Sequence, residues 1–165
     1  MINKSSIEVY QPPAHFFIAL NEIGTLEIKG ERHNQRILEY LASVSPSLRA
    51  DEIPWCSAFV NWCLKMDDLR GSRKANARSW LSWGLSVSKP RLGDIVVLWR
   101  GRKDSWTGHV GFYVGESSET VLILGGNQSD MVTITPFSKS RILSIRRKIT
   151  PVVPIRGSHL TLLKQ

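Results

Sequence analysis

Three residues spread along the chain have side chains whose types could together perform nucleophilic chemistry: Cys56, His109 and Asn127. A cysteine attacks carbonyl carbon as its thiolate, a histidine carries the proton, and an amide can hold the imidazole in one tautomer. Each residue alone also has a structural interpretation, as a buried apolar thiol, a structural imidazole and a turn residue. Their joint occurrence favours a Cys–His–amide triad that performs acyl transfer.

The helix that carries Cys56 is predicted over residues 51–66, with Asp51 as its cap and Pro54 in its first turn. Ser57, Asn61 and Lys65 form one polar stripe, and most other positions are apolar. Cys56 then lies in the first turn, where unpaired N–H groups favour the thiolate and could receive an oxyanion. We therefore expect a lowered thiol pKa.

The base is predicted at the start of a strand over residues 109–115. Alternation places His109 and Gly111 on one face, and Gly111 leaves room for a helix to pack closely. Asn127 follows the next strand in Gly-Gly-Asn-Gln, which would bring it near His109. Gln128 is the alternative third residue.

The remaining elements predict an α+β fold with N-terminal helices packed on a sheet of about five antiparallel strands in a meander. Helices are predicted over 14–23, 34–43, 51–66 and 76–83, and strands over 94–100, 109–115, 120–124, 131–134 and 142–147. A length of 165 residues favours a single domain over 1–165. Its core would span 14–148, between an irregular lead (1–13) and a C-terminal tail (149–165).

The net charge of +8 favours polyanionic partners such as nucleic acid, anionic lipid or the bacterial envelope. Basic residues are mostly scattered and no arginine-rich arm occurs, so nucleic acid is not supported as a partner. The spacing of cysteines and histidines matches no usual zinc site, and we expect no metal or cofactor. Cys63 lies roughly 10 Å along the same helix from Cys56, too far for a disulfide, and is predicted to be core.

Three further residues are candidates for substrate contact. Trp106 precedes His109 in a loop and could contact substrate or simply pack. His33 could line a groove or serve at a helix entry, and Trp80 could border the cleft.

Four segments carry a resemblance to a known group: PWCSAFVNWC, GDIVVLWRG, GHVGFYVGE and GGNQSD. They resemble bacterial and phage hydrolases related to the CHAP and NlpC/P60 superfamilies. The resemblance implies a papain-like fold, peptidoglycan as substrate, and Cys56, His109 and Asn127 as the triad. Two departures stand out. Many CHAP-type enzymes have Glu where this chain has Gly125, and papain-like proteases have an oxyanion-hole Gln where it has Ala50.

The expected activity is cleavage of an amide bond in or next to the peptidoglycan stem peptide. The first twenty residues lack a secretory signal and no stretch is long enough to span a membrane, so synthesis in the cytoplasm is expected. Action on the cell wall would follow release as a phage lysin or injection as an antibacterial effector, the latter with an immunity protein as partner. A non-catalytic wall-binding module and a transferase or deamidase on the same fold are the alternatives.

Overall fold

The computed structural model describes residues 10–30 and 32–148. Most of the predicted lead and all of the predicted tail lie outside these residues. The predicted helices are present but shorter, and the fourth is a 3-10 helix. The helices are α1 (Ala14–Asn21), α2 (Gln35–Ala42), α3 (Cys56–Met66) and two 3-10 helices, Ala77–Ser82 and Lys139–Arg141.

The strands form one antiparallel sheet in the order β1-β6-β2-β3-β4-β5. The prediction of five strands misses the two-residue β1, and the last strand returns beside β2, so only β2 to β5 form a meander. The strands are β1 (Leu85–Ser86), β2 (Ile95–Trp99), β3 (Gly108–Glu116), β4 (Thr120–Gln128), β5 (Met131–Ser138) and β6 (Ile142–Arg147).

Apolar side chains cover both faces of the sheet. The larger cluster joins α3 to one face through residues such as Phe59, Val110 and Phe112. A smaller cluster on alternate strand positions includes Leu98 and Tyr113. The predicted α+β arrangement, with helices packed on an antiparallel sheet, is confirmed.

The polar stripe of α3 is mostly buried. Ser57 and Asn61 are 0% and 4% exposed. Ser57 donates to the carbonyl of Lys74 and accepts from the indole of Trp80, while Asn61 accepts from the backbone of Arg73. The segment after α3 therefore folds back over this stripe, and its polar groups are satisfied internally.

The start of α3 differs from the prediction. The helix begins at Cys56, after Trp55, so Asp51 does not cap it. Asp51 is instead fully buried and accepts hydrogen bonds from the backbone of Ile28 and Asn34 and from the His33 ring. The capping prediction is wrong because this carboxylate satisfies an earlier loop, a pairing that local sequence does not reveal.

Candidate functional site

Cys56 is the first residue of α3 and is 7% exposed. Burial raises the pKa of its thiol, while the backbone N–H groups of Val110 and Ser57 act in the opposite direction. The sequence-based expectation of a lowered thiol pKa is therefore wrong for the resting protein, because desolvation outweighs the helix-start N–H groups. The thiol rests protonated, and its sulfur lies at the backbone of the residue that follows His109.

A glycine in β4 lets the start of α3 approach the sheet. A Cβ on Gly126 would lie 2.3 Å from the Trp55 ring and 2.8 Å from Cβ of Phe59. The predicted role of Gly111 is wrong, since a Cβ there would meet the β4 side chain of Ile123 at 2.5 Å rather than a helix. The close helix–sheet contact beside Cys56 thus depends on Gly126.

His109 is 8% exposed, and its Nε2 lies 2.9 Å from Oε1 of Gln128. The Gln128 amide nitrogen donates to the carbonyls of Ile123 and Thr133 and lies 3.2 Å from Oγ1 of Thr135. These acceptors fix the amide orientation, so its oxygen must face the imidazole. Nε2 of His109 therefore carries the proton, and Nδ1 is the nitrogen with a free lone pair.

Gln128, rather than Asn127, is the partner of His109. Asn127 has a φ of 56° in the stretch where the β4–β5 register shifts, between Gly125 and Gln128. Among the described residues its side chain forms no hydrogen bond with the ring. The expectation for Asn127 differs from the geometry because a bulge changes which side chain faces a neighbouring strand.

The glycine that departs from the CHAP-type pattern makes room for this arrangement. A Cβ on Gly125 would lie 2.9 Å from Oε1 of Gln128 and 3.3 Å from Nε2 of His109. The Gln128 side chain thus reaches the ring across space that a side chain at 125 would restrict. The glycine at position 125 was the feature of the sequence that could have indicated Gln128, instead of Asn127, as the partner of His109.

Burial lowers the pKa of His109 to about 4, with smaller contributions in the same direction from the charges of Arg141 and Arg100. The hydrogen bond that His109 donates to Oε1 of Gln128 acts in the opposite direction. The imidazole is therefore neutral near pH 7 and able to accept a proton. Within the described residues no hydrogen bond joins Sγ of Cys56 to this ring.

Two cavities adjoin these residues. The Cys56 groove, of about 360 Å³, has mostly apolar walls that include Pro54, Ala77 and Trp106, which is 76% exposed. Thr107 forms part of one wall of this groove. Arg78 supports that wall by donating to the carbonyls of Thr107 and Lys103.

The second cavity, the His109 pocket, measures about 390 Å³. Its walls are polar and include Arg100, Ser129, Thr135 and Arg141. Asn127 and Gln128 also border it, so the predicted third residue lies at the site without contacting the ring.

The other predicted site residues lie elsewhere. Trp80 is fully buried, so the prediction that it borders the cleft is wrong; its indole instead donates to Oγ of Ser57 on α3. His33 binds Asp51 at 3.0 Å and lines neither cavity. Cys63 is fully buried, which confirms the core prediction, and both cysteines are free in the structure.

Across residues 10–30 and 32–148, no three His, Cys, Asp or Glu side chains converge as a metal site would require. In the same part of the chain, every helix is too short or too polar to cross a bilayer.

Comparison with known proteins finds a family match over part of the chain. Residues 49–127 match the CHAP domain family. This segment contains Cys56 and His109, and the match supports a family of the peptidoglycan-hydrolase type. Gln128 lies one residue beyond it. A search of curated proteins finds no significant match.

Two solved structures are distantly similar. The P60 domain of antigen MAP1272c from M. avium paratuberculosis has 14% identity and a TM-score of 0.49, over 82% of this chain and 91% of that one. An NLP/P60-family lipoprotein-like protein from Staphylococcus aureus has 14% identity and a TM-score of 0.47, over 83% of this chain and 41% of that one. At this level of similarity neither assigns a residue role to this chain.

Proposed function

We propose that this chain hydrolyses an amide bond in or next to the stem peptide of peptidoglycan. Cys56 is the nucleophile, His109 the base and Gln128 the residue that positions the imidazole. The proposal is carried by a thiol at the start of α3 that lies at the backbone of Val110, the residue after His109, together with the buried Nε2–Oε1 contact of 2.9 Å. That contact leaves Nδ1 as the only ring nitrogen able to take a proton.

The resting protonation states determine the first step. Because burial keeps the thiol protonated and the imidazole neutral, Nδ1 of His109 removes the Cys56 proton as sulfur attacks the amide carbonyl. The N–H groups at the start of α3 stabilise the resulting oxyanion. Nδ1 then returns the proton to the departing amine, leaving a thioester.

The second step releases the acid. Water attacks the thioester carbonyl while Nδ1 of His109 takes a water proton, and that proton passes to the departing Cys56 sulfur. Gln128 keeps the ring in one tautomer throughout, and Trp106 offers an exposed indole against which a substrate could pack.

The biological setting that we propose is the cell wall, reached by release as a phage or prophage lysin or by injection as an antibacterial effector. A net charge of +8 favours approach to an anionic envelope. If the chain is an effector, a bound immunity protein would be expected to close the Cys56 groove.

Digestion of purified sacculi, followed by mass spectrometry of the released muropeptides, tests this proposal. The wild type should generate new amine and carboxyl termini, and Cys56→Ala should lower the rate by about 10³-fold or more. Cys63→Ala is the matched control, because it removes the other buried thiol. It should retain the rate if its unfolding temperature shows a folded protein.

Three outcomes would contradict the proposal. Equal activity of Cys56→Ala and wild type excludes thiol catalysis. Binding of sacculi without cleavage by the wild type indicates a wall-binding module. Failure to cleave sacculi, together with Cys56-dependent release of ammonia from glutamine-containing proteins, indicates a deamidase.

A further inference from the structure

One arginine borders both cavities. Arg100 directly follows β2, is exposed, and lines the Cys56 groove as well as the His109 pocket. Within the described residues its guanidinium has no hydrogen bond and no ion pair, although its carbonyl accepts from Ser105 and Thr107. Arg100 therefore contributes to the walls of both cavities, and its guanidinium has no partner among the described residues.

Four other arginines of the sheet and its loops are tethered by guanidinium hydrogen bonds, unlike Arg100. Arg78 donates to Thr107 and Lys103, Arg141 to the carbonyl of Trp99, Arg146 to Trp83 and Gly84, and Arg147 to Asp94.

The His109 pocket carries a surplus of positive charge. Arg100 and Arg141 line it together with one carboxylate, Asp130. Arg141 is held in place by Trp99 and lies 5.2 Å from the centre of the Phe137 ring, so its charge is fixed. Arg100 is close enough to lower the pKa of both the Cys56 thiol and the His109 imidazole.

We propose that Arg100 binds a carboxylate of the substrate beside the scissile amide, with Arg141 adding a fixed positive charge. This inference rests on the proposed function and specifies its substrate class: a peptide with a free carboxylate next to the bond that is cut. A guanidinium can hold a carboxylate through two parallel hydrogen bonds, which fixes orientation as well as charge. The carboxylate side of the substrate then occupies the polar pocket, and the less polar side lies along the groove wall that includes Trp106.

Two preparations of the same sacculi test the proposal. One is treated with carbodiimide and ammonium, which converts free carboxylates to carboxamides, and the other is mock-treated. Wild-type protein should hydrolyse the amidated preparation roughly tenfold more slowly or worse. Arg100→Gln should act on both preparations at the same low rate. Arg100→Lys should retain partial discrimination, because it keeps the positive charge but cannot form two parallel hydrogen bonds to a carboxylate.

Arg102→Gln is the matched control for the loss of one positive charge. Arg102 is nearby in sequence and pairs with Asp104 on the exposed loop, so this variant should discriminate as the wild type does. If Arg100→Gln, shown to be folded by its thermal transition, discriminates as strongly as the wild type, the proposal is overturned. Equal loss of discrimination in Arg102→Gln would overturn it as well, because net charge would then account for the effect.

Binding separates this proposal from the proposed hydrolysis. Cys56→Ala protein should cosediment more tightly with mock-treated than with amidated sacculi, and Cys56→Ala/Arg100→Gln should bind both equally. If wild type cleaves neither preparation but this binding difference is found, the carboxylate site stands and hydrolysis falls. If the binding difference is missing, the carboxylate site falls whether or not the wild type is active.

Discussion

Two buried histidines of this protein have opposite arrangements of partners. His15, 4% exposed, places Nδ1 2.9 Å from a carboxylate oxygen of Asp67 and Nε2 3.3 Å from the carbonyl of Gly93. Within the described residues His109, 8% exposed, has a hydrogen-bond partner at Nε2 alone, the amide oxygen of Gln128.

The difference shows what separates a structural imidazole from one that can do chemistry. Both nitrogens of His15 lie within hydrogen-bonding distance of oxygen atoms, so both are occupied by structural contacts, and the ring ties α1 to the residue after α3. The second nitrogen of His109 has no hydrogen-bond partner among the described residues. Burial is similar in the two cases, and the hydrogen-bond partners make the distinction.

Replacing each histidine in turn should produce the largest contrast. His109→Gln keeps a donor for Gln128 but removes the base, so hydrolysis of sacculi should fall by about 10³-fold or more. His15→Gln should lower the free energy of unfolding by about 1–3 kcal/mol while the folded fraction keeps its specific activity. Chemical denaturation and rate measurements on the same samples check both. A specific activity that falls equally in the two variants would remove the distinction.

The pH dependence of stability should be the next largest effect. Because the pKa of His109 is about 4 in the folded protein and 6.5 ordinarily, the unfolded chain binds the proton more readily between these values. The free energy of unfolding should therefore fall as pH decreases from 6.5 to 4, by up to about 3 kcal/mol from this group, and then level off. Urea denaturation of wild type and His109→Gln at a series of pH values isolates this contribution. Identical profiles would show that the imidazole is not desolvated as described.

Exchanging the third residue should have the smallest effect of the three and also sharpens the assignment. Gln128→Ala removes the oxygen that fixes the tautomer of His109, and we expect kcat to fall by about 10–100-fold. Asn127→Ala leaves that contact intact and should change kcat by less than about threefold. Steady-state kinetics on soluble muropeptides checks the pair, and the reverse ranking would restore Asn127 as the positioning residue.

Much of the fold was predictable because its signals are local. Short runs of β-branched and aromatic residues indicated β2 and β3, and Gly, Ser and Asn marked the loops between strands. The prediction placed the start of α3 too early because Asp51 has the right type and position for a cap. Its actual hydrogen-bond partners, Ile28, His33 and Asn34, are distant in sequence. No local pattern predicts which loop will donate hydrogen bonds to a buried carboxylate.

The site was predictable in its residue types but not in its third contact. Cys56 and His109 remain the proposed pair, supported by a thiol at a helix start and an imidazole on the facing strand. The partner of His109 depended on a bulge at 125–128, which contains two adjacent side-chain amides, Asn127 and Gln128. A shift of one residue decides which amide faces the ring, and Gly125 alone was an indirect sign of it.

What the sequence determined by itself was the set of elements and the presence of a thiol, an imidazole and two amides in chemically suggestive places. Tertiary structure alone decided that Trp80 is buried, that Gly126 allows α3 to pack closely on the sheet, and that Gln128 accepts a hydrogen bond from the imidazole. The physical reason is that chain-local preferences specify helices and strands, whereas desolvation and hydrogen-bond partners arise only when distant segments pack together.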